Sequence, residues 1–196
     1  MDIIGITGGI GTGKSLVSRI AAENGIRIID ADKIAHDITE KGSPVLEKLA
    51  DAFGSDIIDE DGTLRRSLLA DRAFASEESK ELLDSLTHGE IKSAVAAQTE
   101  EARSCGEEAV IIDAPLLIES GLSEMCDYVW VVTADSETRI KRVMKRDGLT
   151  REQVIARMER QLSDDERNAA ADFIIENSGT KEDLRVIIEE LIGDYV

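Results

Sequence analysis

The sequence predicts an α/β protein: a doubly wound chain built on a five-stranded parallel sheet, with two inserted segments. Three observations predict it. Short Ile- and Val-rich runs of strand length recur along the chain. Stretches with helical spacing alternate with them, and a glycine-dense turn joins the first run to the first helix pattern.

The first run is "DIIGIT" (2–7), and the glycine-dense turn follows within "GITGGIGTGKSLVS" (5–18). Residues Gly8 to Ser15 satisfy G-x-x-x-x-G-K-[ST] between a predicted strand and a helix predicted over Lys14–Glu23. A loop of this length wraps an anion with inward-pointing backbone N–H groups, which the glycines permit and the following helix N-terminus reinforces. Lys14 then reaches the β- and γ-phosphates, and Ser15 offers a hydroxyl to Mg²⁺. An incidental glycine-rich strand-to-helix turn is the alternative, and the full pattern in this context argues against it.

The second run, "IRIID" (26–30), leads into "ADKIAHDI", which places Asp30 and Asp32 at the same sheet edge as the loop. Two readings stand for these carboxylates. One of them accepts or orients an acceptor hydroxyl near the γ-phosphate, or it caps a helix beginning near Lys33. The stretch before the third run is far longer than a crossover needs. It carries the helical patterns "SPVLEKLADAF", "RRSLLADRAF" and "SKELLDSLTHGEIKSAVAAQTEEA", so it reads as a helical insertion over about 32–106.

The third run, "AVIID" (109–113), ends on Asp113, which either orients Mg²⁺ or caps the turn before "APLL". The fourth is "YVWVV" (128–132), followed by a helix over Ser136–Arg146. Residues 139–160 hold eight Lys or Arg against three Asp or Glu, in a chain whose net charge is −18. Arg139, Arg142 and Arg146 share one helix face there, and Arg157 follows on a second helix. A basic island in an acidic chain reads as a closing lid over a triphosphate, spanning about 139–164. The fifth run is "DFIIE" (172–176), with a last helix over Glu182–Ile192. The core is then about 1–31, 107–138 and 165–196.

Composition bounds the rest. At 196 residues with 42% hydrophobic and 33% charged residues, the chain can bury a core of its own. The acidic excess argues against a general nucleic-acid or anionic-membrane binder. No run approaches the roughly 18 apolar residues of a membrane span, and "MDIIGIT" lacks a basic leader, so a cytoplasmic setting is expected. Cys105 and Cys126 have no zinc or disulfide spacing. No N-K-x-D guanine-reading motif is present, which disfavours a GTPase.

Taken together, "GITGGIGTGKS", "IIDADKIAHDI", "AFG" (52–54), "DGTLRRSLLADRAF", "IIDAPLLIESGL", "RVMKRDGLTREQVIARMERQ" and "AADFIIENSG" resemble the dephospho-CoA kinase family from the first strand to the last. The resemblance implies a P-loop core of the nucleoside-monophosphate-kinase type with a helical coenzyme-A-binding insertion and a mobile lid. It implies transfer of the ATP γ-phosphoryl to the ribose 3′-hydroxyl of dephospho-CoA, the last step of CoA biosynthesis, with Mg²⁺. By matching position, Gly8, Gly9, Gly11, Thr12, Gly13, Lys14, Ser15 and Leu16 would wrap the ATP phosphates, with Ser15 and Asp113 at the metal. Asp32 would be the acceptor-side carboxylate, and Arg142 and Arg146 lid cations. Asn177, Ser178 and Gly179 would lie by the adenine. Arg66, His88, Pro115, Leu116, Leu117 and Glu119 would face dephospho-CoA.

Three positions depart from the family pattern. Leu16 stands where a Thr is usual, His88-Gly89 replaces His-Pro, and Arg139 stands where Gln is frequent. A kinase of another nucleotide or small metabolite, and a non-catalytic nucleotide-binding module, are the alternative functions. The sequence sets no oligomeric state.

Overall fold

The computed structural model describes residues 1–193 and 195. Five parallel strands form one sheet: β1 (Asp2–Thr7), β2 (Arg27–Asp30), β3 (Ala109–Asp113), β4 (Tyr128–Thr133) and β5 (Phe173–Glu176), in the order β2-β3-β1-β4-β5. β1 lies at the centre, so the chain leaves it toward both halves of the sheet. The crevice at such a switch point is where open α/β sheets bind ligands. The register aligns Asp30 and Ile6 with Asp113, which brings the carboxyl ends of β1, β2 and β3 to one edge.

Burial is complete along β3 and incomplete at the sheet edges. All five residues of β3 are buried, whereas Phe173, Ile174 and Glu176 of β5 are exposed. An edge strand lacks a neighbour on one side, and these two are short, with four residues each.

The chain divides into two compact units, Met1–Asp30 with Thr99–Val196, and Ala31–Gln98. In the first, α1 (Lys14–Glu23) and α9 (Lys181–Ile192) cover the sheet, and their Val17, Ile20, Leu184 and Ile188 pack with Ile4, Ile6, Ile111 and Trp130. Leu16 packs against the same cluster, so the apolar residue at this position adds to the core. Between β4 and β5 lie α6 (Ser136–Asp147), α7 (Arg151–Met158) and α8 (Asp164–Ala169), whose Ile140, Val143 and Val154 make a small core of their own. Thr150 and Ser163 begin α7 and α8 with reciprocal capping boxes, each satisfying otherwise unpaired N–H groups.

The second unit is helical: α2 (Ala31–Asp37), α3 (Pro44–Phe53), α4 (Arg66–Ala73) and the first part of α5 (Glu77–Ser104). Ser43 caps α3 by accepting the Leu46 N–H at 3.0 Å. Val45, Leu49, Ile57 and Leu69 form its core. α5 runs uninterrupted through His88 and Gly89, so the Gly that replaces Pro starts no helix here. A glycine inside a helix costs about 1 kcal/mol relative to alanine, and 28 residues of continuous helix absorb it.

Ile111, fully buried at the middle of β3, gives a direct test of this packing. Ile111→Ala is expected to destabilise the protein by about 2–5 kcal/mol through lost burial and the cavity left behind. The check is the urea midpoint, which should fall with an unchanged slope.

Candidate active site

The loop from Gly8 to Ser15 leaves the end of β1 and opens α1. Its carbonyls are hydrogen-bonded one after another. Gly9 O accepts the Thr12 hydroxyl at 2.9 Å and the Thr12 N–H at 3.2 Å. Ile10 O accepts Arg139 Nε at 2.9 Å, Gly11 O accepts Arg142 Nη1 at 3.5 Å, and Thr12 O accepts the Asn177 amide at 2.6 Å. The N–H groups of Gly11, Gly13, Lys14 and Ser15 carry no such intrachain bond among the described residues. Carbonyls already bonded, beside amides left without a partner at the positive end of α1, are what an anion nest requires.

Two glycines show why side chains are excluded. Gly13 has φ +96°, and a Cβ there would stand 2.2 Å from the Asn177 amide nitrogen. At Gly9 a Cβ would meet the Arg139 guanidinium at 2.3 Å. Either substitution displaces a group that holds the loop.

Lys14 and Asp113 form an ion pair, and Ser18 donates its hydroxyl to the other Asp113 oxygen at 2.6 Å. Asp113 is nine-tenths buried, so both partners offset the cost of desolvating its charge. The turn-cap alternative for Asp113 does not describe it: the carboxylate faces the loop lysine and α1. Ser15 is exposed, beside Lys14 in the first turn of α1.

The three arginines of α6 part company. Arg139 is buried and tied to Asp164 at 2.7 Å. Arg142 is half-buried against the loop carbonyls, while Arg146 is exposed and paired through two hydrogen bonds with Asp147 at 2.6 and 2.9 Å. That pairing holds the Asp147 carboxyl below the usual carboxylate range. Arg157 lies 3.8 Å from the same carboxylate.

At the end of β5, Asn177 is buried against the loop, whereas Ser178 and Gly179 are exposed, the Ser178 hydroxyl accepting the Asp135 N–H at 2.9 Å. After β3, Pro115 O accepts the Thr7 hydroxyl at 3.0 Å. Leu117 is fully buried, and Leu116 and Glu119 are exposed. Burial pushes the Cys126 thiol up to about 12, which disfavours the thiolate.

In the helical unit, Asp32 is exposed in the first turn of α2. Its helix begins at Ala31, two residues before the expected start, so of the two carboxylates it is Asp30 and not Asp32 that precedes the helix. Arg66 opens α4 and donates to the Thr39 hydroxyl at 3.0 Å and to His36 O at 3.2 Å. With Lys41, Thr63 and Leu64 these residues bound a cavity of about 390 Å³. His88 is half-buried on α5, 3.3 Å from Asp84. Sequence reasoning did not single out Ser18, Lys41, Gln161, Asp164 or Arg167, each of which takes part in this geometry or borders it.

The sequence model of the family described as Dephospho-CoA kinase matches residues 2–183, nearly the whole chain. The chain belongs to the dephospho-CoA kinase family. Its members are kinases that catalyse the last step of CoA biosynthesis. A relative from Corynebacterium glutamicum named dephospho-CoA kinase is 45% identical over 193 residues, covering 98% of this chain and 96% of its own length. A crystal structure from Thermus thermophilus matches with a TM-score of 0.84 at 32% identity, covering 100% of this chain and 98% of that one. The structure of the dephospho-CoA kinase from Campylobacter jejuni matches at 0.75 and 30%, covering 98% and 96%. Membership in this family accounts for the phosphate loop and the parallel sheet together. No helix among the described residues is long and apolar enough to cross a membrane.

Proposed function

We propose that this chain transfers the γ-phosphoryl of ATP to the ribose 3′-hydroxyl of dephospho-CoA, giving CoA and ADP. The observation that carries the donor half is a loop whose carbonyls from Gly9 to Thr12 are all hydrogen-bonded while the N–H groups of Gly11, Gly13, Lys14 and Ser15 are not, among the described residues. The triphosphate lies against the amides of Gly11, Gly13, Lys14 and Ser15, and Lys14 shifts from Asp113 to the β- and γ-phosphates. Mg²⁺ fits the donor set, since the Ser15 hydroxyl and the Asp113 carboxylate are the hard oxygen ligands it takes. Bound there, it would neutralise charge spread over the phosphate oxygens.

Asp32 holds or deprotonates the acceptor hydroxyl, and the segment 32–106 supplies the acceptor site. Arg66, with Lys41 on the same cavity, offers cations to acceptor phosphates. His88 and, separately, the Pro115–Glu119 segment are the other residues assigned to the acceptor. Residues 139–164 act as a lid whose Arg142 and Arg146 face the transferring group and whose closure keeps water from taking the phosphoryl. Asn177, Ser178 and Gly179 border the adenine, Asn177 through its backbone, since its side chain is occupied by Thr12 O.

The acceptor is tested by ADP release with dephospho-CoA, AMP, CMP and shikimate offered separately at equal concentration. Turnover with dephospho-CoA at least a hundredfold above the others is expected, a ratio within reach of a site built to hydrogen-bond its substrate. Faster turnover with any other acceptor would reassign the substrate, and ATP binding without transfer to any would mark a binding module.

A further inference from the structure

Ile10, at the tip of the phosphate loop, is gripped in three ways. Its N–H donates to Gln161 Oε1 at 2.8 Å, and its carbonyl accepts Arg139 Nε at 2.9 Å. Its side chain packs on the apolar cluster of Ile140, Val143 and Val154. Every one of these partners comes from the segment between β4 and β5, 129 and 151 residues away for the two hydrogen bonds.

The anchors are themselves fixed. Arg139 is 2% exposed and reaches Asp164, whose other oxygen takes Arg167 Nη1 at 3.0 Å. Arg167 is equally buried and its Nη2 donates to Leu162 O at 2.9 Å, next to Gln161. Two buried guanidinium groups sharing one carboxylate form a rigid mount, because breaking either pair leaves an uncompensated charge. Gly9 runs close along this mount, with room for a hydrogen but not for a Cβ.

The Gly9–Ile10 peptide is held at both polar atoms, Gly9 O by Thr12 and the Ile10 N–H by Gln161, and the next peptide at Ile10 O by Arg139, so neither turns freely. If the Ile10 peptide groups turned, the neighbouring carbonyls would swing toward the phosphates and oppose them electrostatically. We infer that Gln161 is a positioning residue for the phosphoryl donor: by holding the Ile10 N–H, with Arg139 on the carbonyl, it keeps the loop in its anion-binding shape before ATP arrives. The 139–164 segment is thereby tied to the loop at Arg139 and Gln161. This rests on the reading of Gly8–Ser15 as the donor-phosphate loop.

The test compares wild type, Gln161→Leu, which keeps the bulk without the acceptor, and Gln161→Glu, which keeps the acceptor. Equilibrium binding of a non-hydrolysable ATP analogue is measured first, since it needs no second substrate, and then KM for each substrate with kcat. Gln161→Leu is expected to weaken analogue binding and raise KM for ATP by roughly tenfold, the effect of one lost hydrogen bond, with KM for dephospho-CoA within twofold. Gln161→Glu should lie within about threefold of wild type, because its carboxylate still accepts the N–H. If Gln161→Leu does not fold, Gln161→Ala replaces it with the same expectation.

Analogue affinity unchanged in the Leu variant overturns the inference, as does a Glu variant as weak as Leu or an equal loss toward both substrates. Failure of the wild type to bind the analogue overturns the donor-loop reading itself, and the two failures are thereby told apart.

Discussion

Lys14→Ala is expected to lower kcat by about 10²–10³-fold, the loss typical of removing one preorganised donor from developing negative charge. The side chain sits at the mouth of the nest, 14% exposed, with Asp113 as its partner. During transfer the charge on the γ-phosphoryl oxygens spreads, and a positive group fixed within reach stabilises that state more than the bound ground state. Stability should fall as well, because the buried Asp113 charge is left with the Ser18 hydroxyl alone when the ammonium is gone, so the rate is read on folded protein. The check is single-turnover kinetics beside a far-ultraviolet circular dichroism spectrum. A wild-type rate constant in a folded variant would remove the loop from the chemistry.

The loop was legible because its function resides in backbone geometry. Anion binding requires glycines at fixed spacing between a strand and a helix, and Gly8, Gly13 and Lys14 stand in that order whatever surrounds them. The five strands were legible for a related reason: buried parallel strands read as unbroken Ile and Val runs, as β3 does with no exposed residue.

The supports of the loop were not. Gln161, Asp164 and Arg167 lie in polar sequence that fits an exposed helix start, and no periodicity distinguishes a polar residue that reaches a peptide 151 positions away. Arg139 shows the same limit from the other side. Its spacing from Arg142 and Arg146 suggested one charged face, yet the structure buries it on Asp164 and Ile10 while Arg146 remains in solvent. Helical spacing reports which residues share a face and says nothing about how deeply that face is buried along its length. For Asn177 the sequence offered its place after a strand, which carries no signal of the bond its side chain makes to Thr12 O.

Asp32→Asn separates two chemistries that the same position allows. If Asp32 takes the proton of the acceptor hydroxyl, Asn cannot replace it, and kcat should fall by roughly 10²-fold or more, the usual contribution of a general base. KM for ATP should stay within twofold, since the donor phosphates are held by other residues. Stability should be nearly unchanged: Asp32 is exposed, and the favourable placement of its charge in the first turn of α2 is worth about 0.3–1 kcal/mol. If Asp32 only orients the hydroxyl, the Asn side-chain carbonyl still accepts that hydrogen bond, so Asn retains most of the rate while Asp32→Ala loses it. The large loss in Asn is the expected result, because phosphoryl transfer to a ribose hydroxyl ends with a proton that some group must receive.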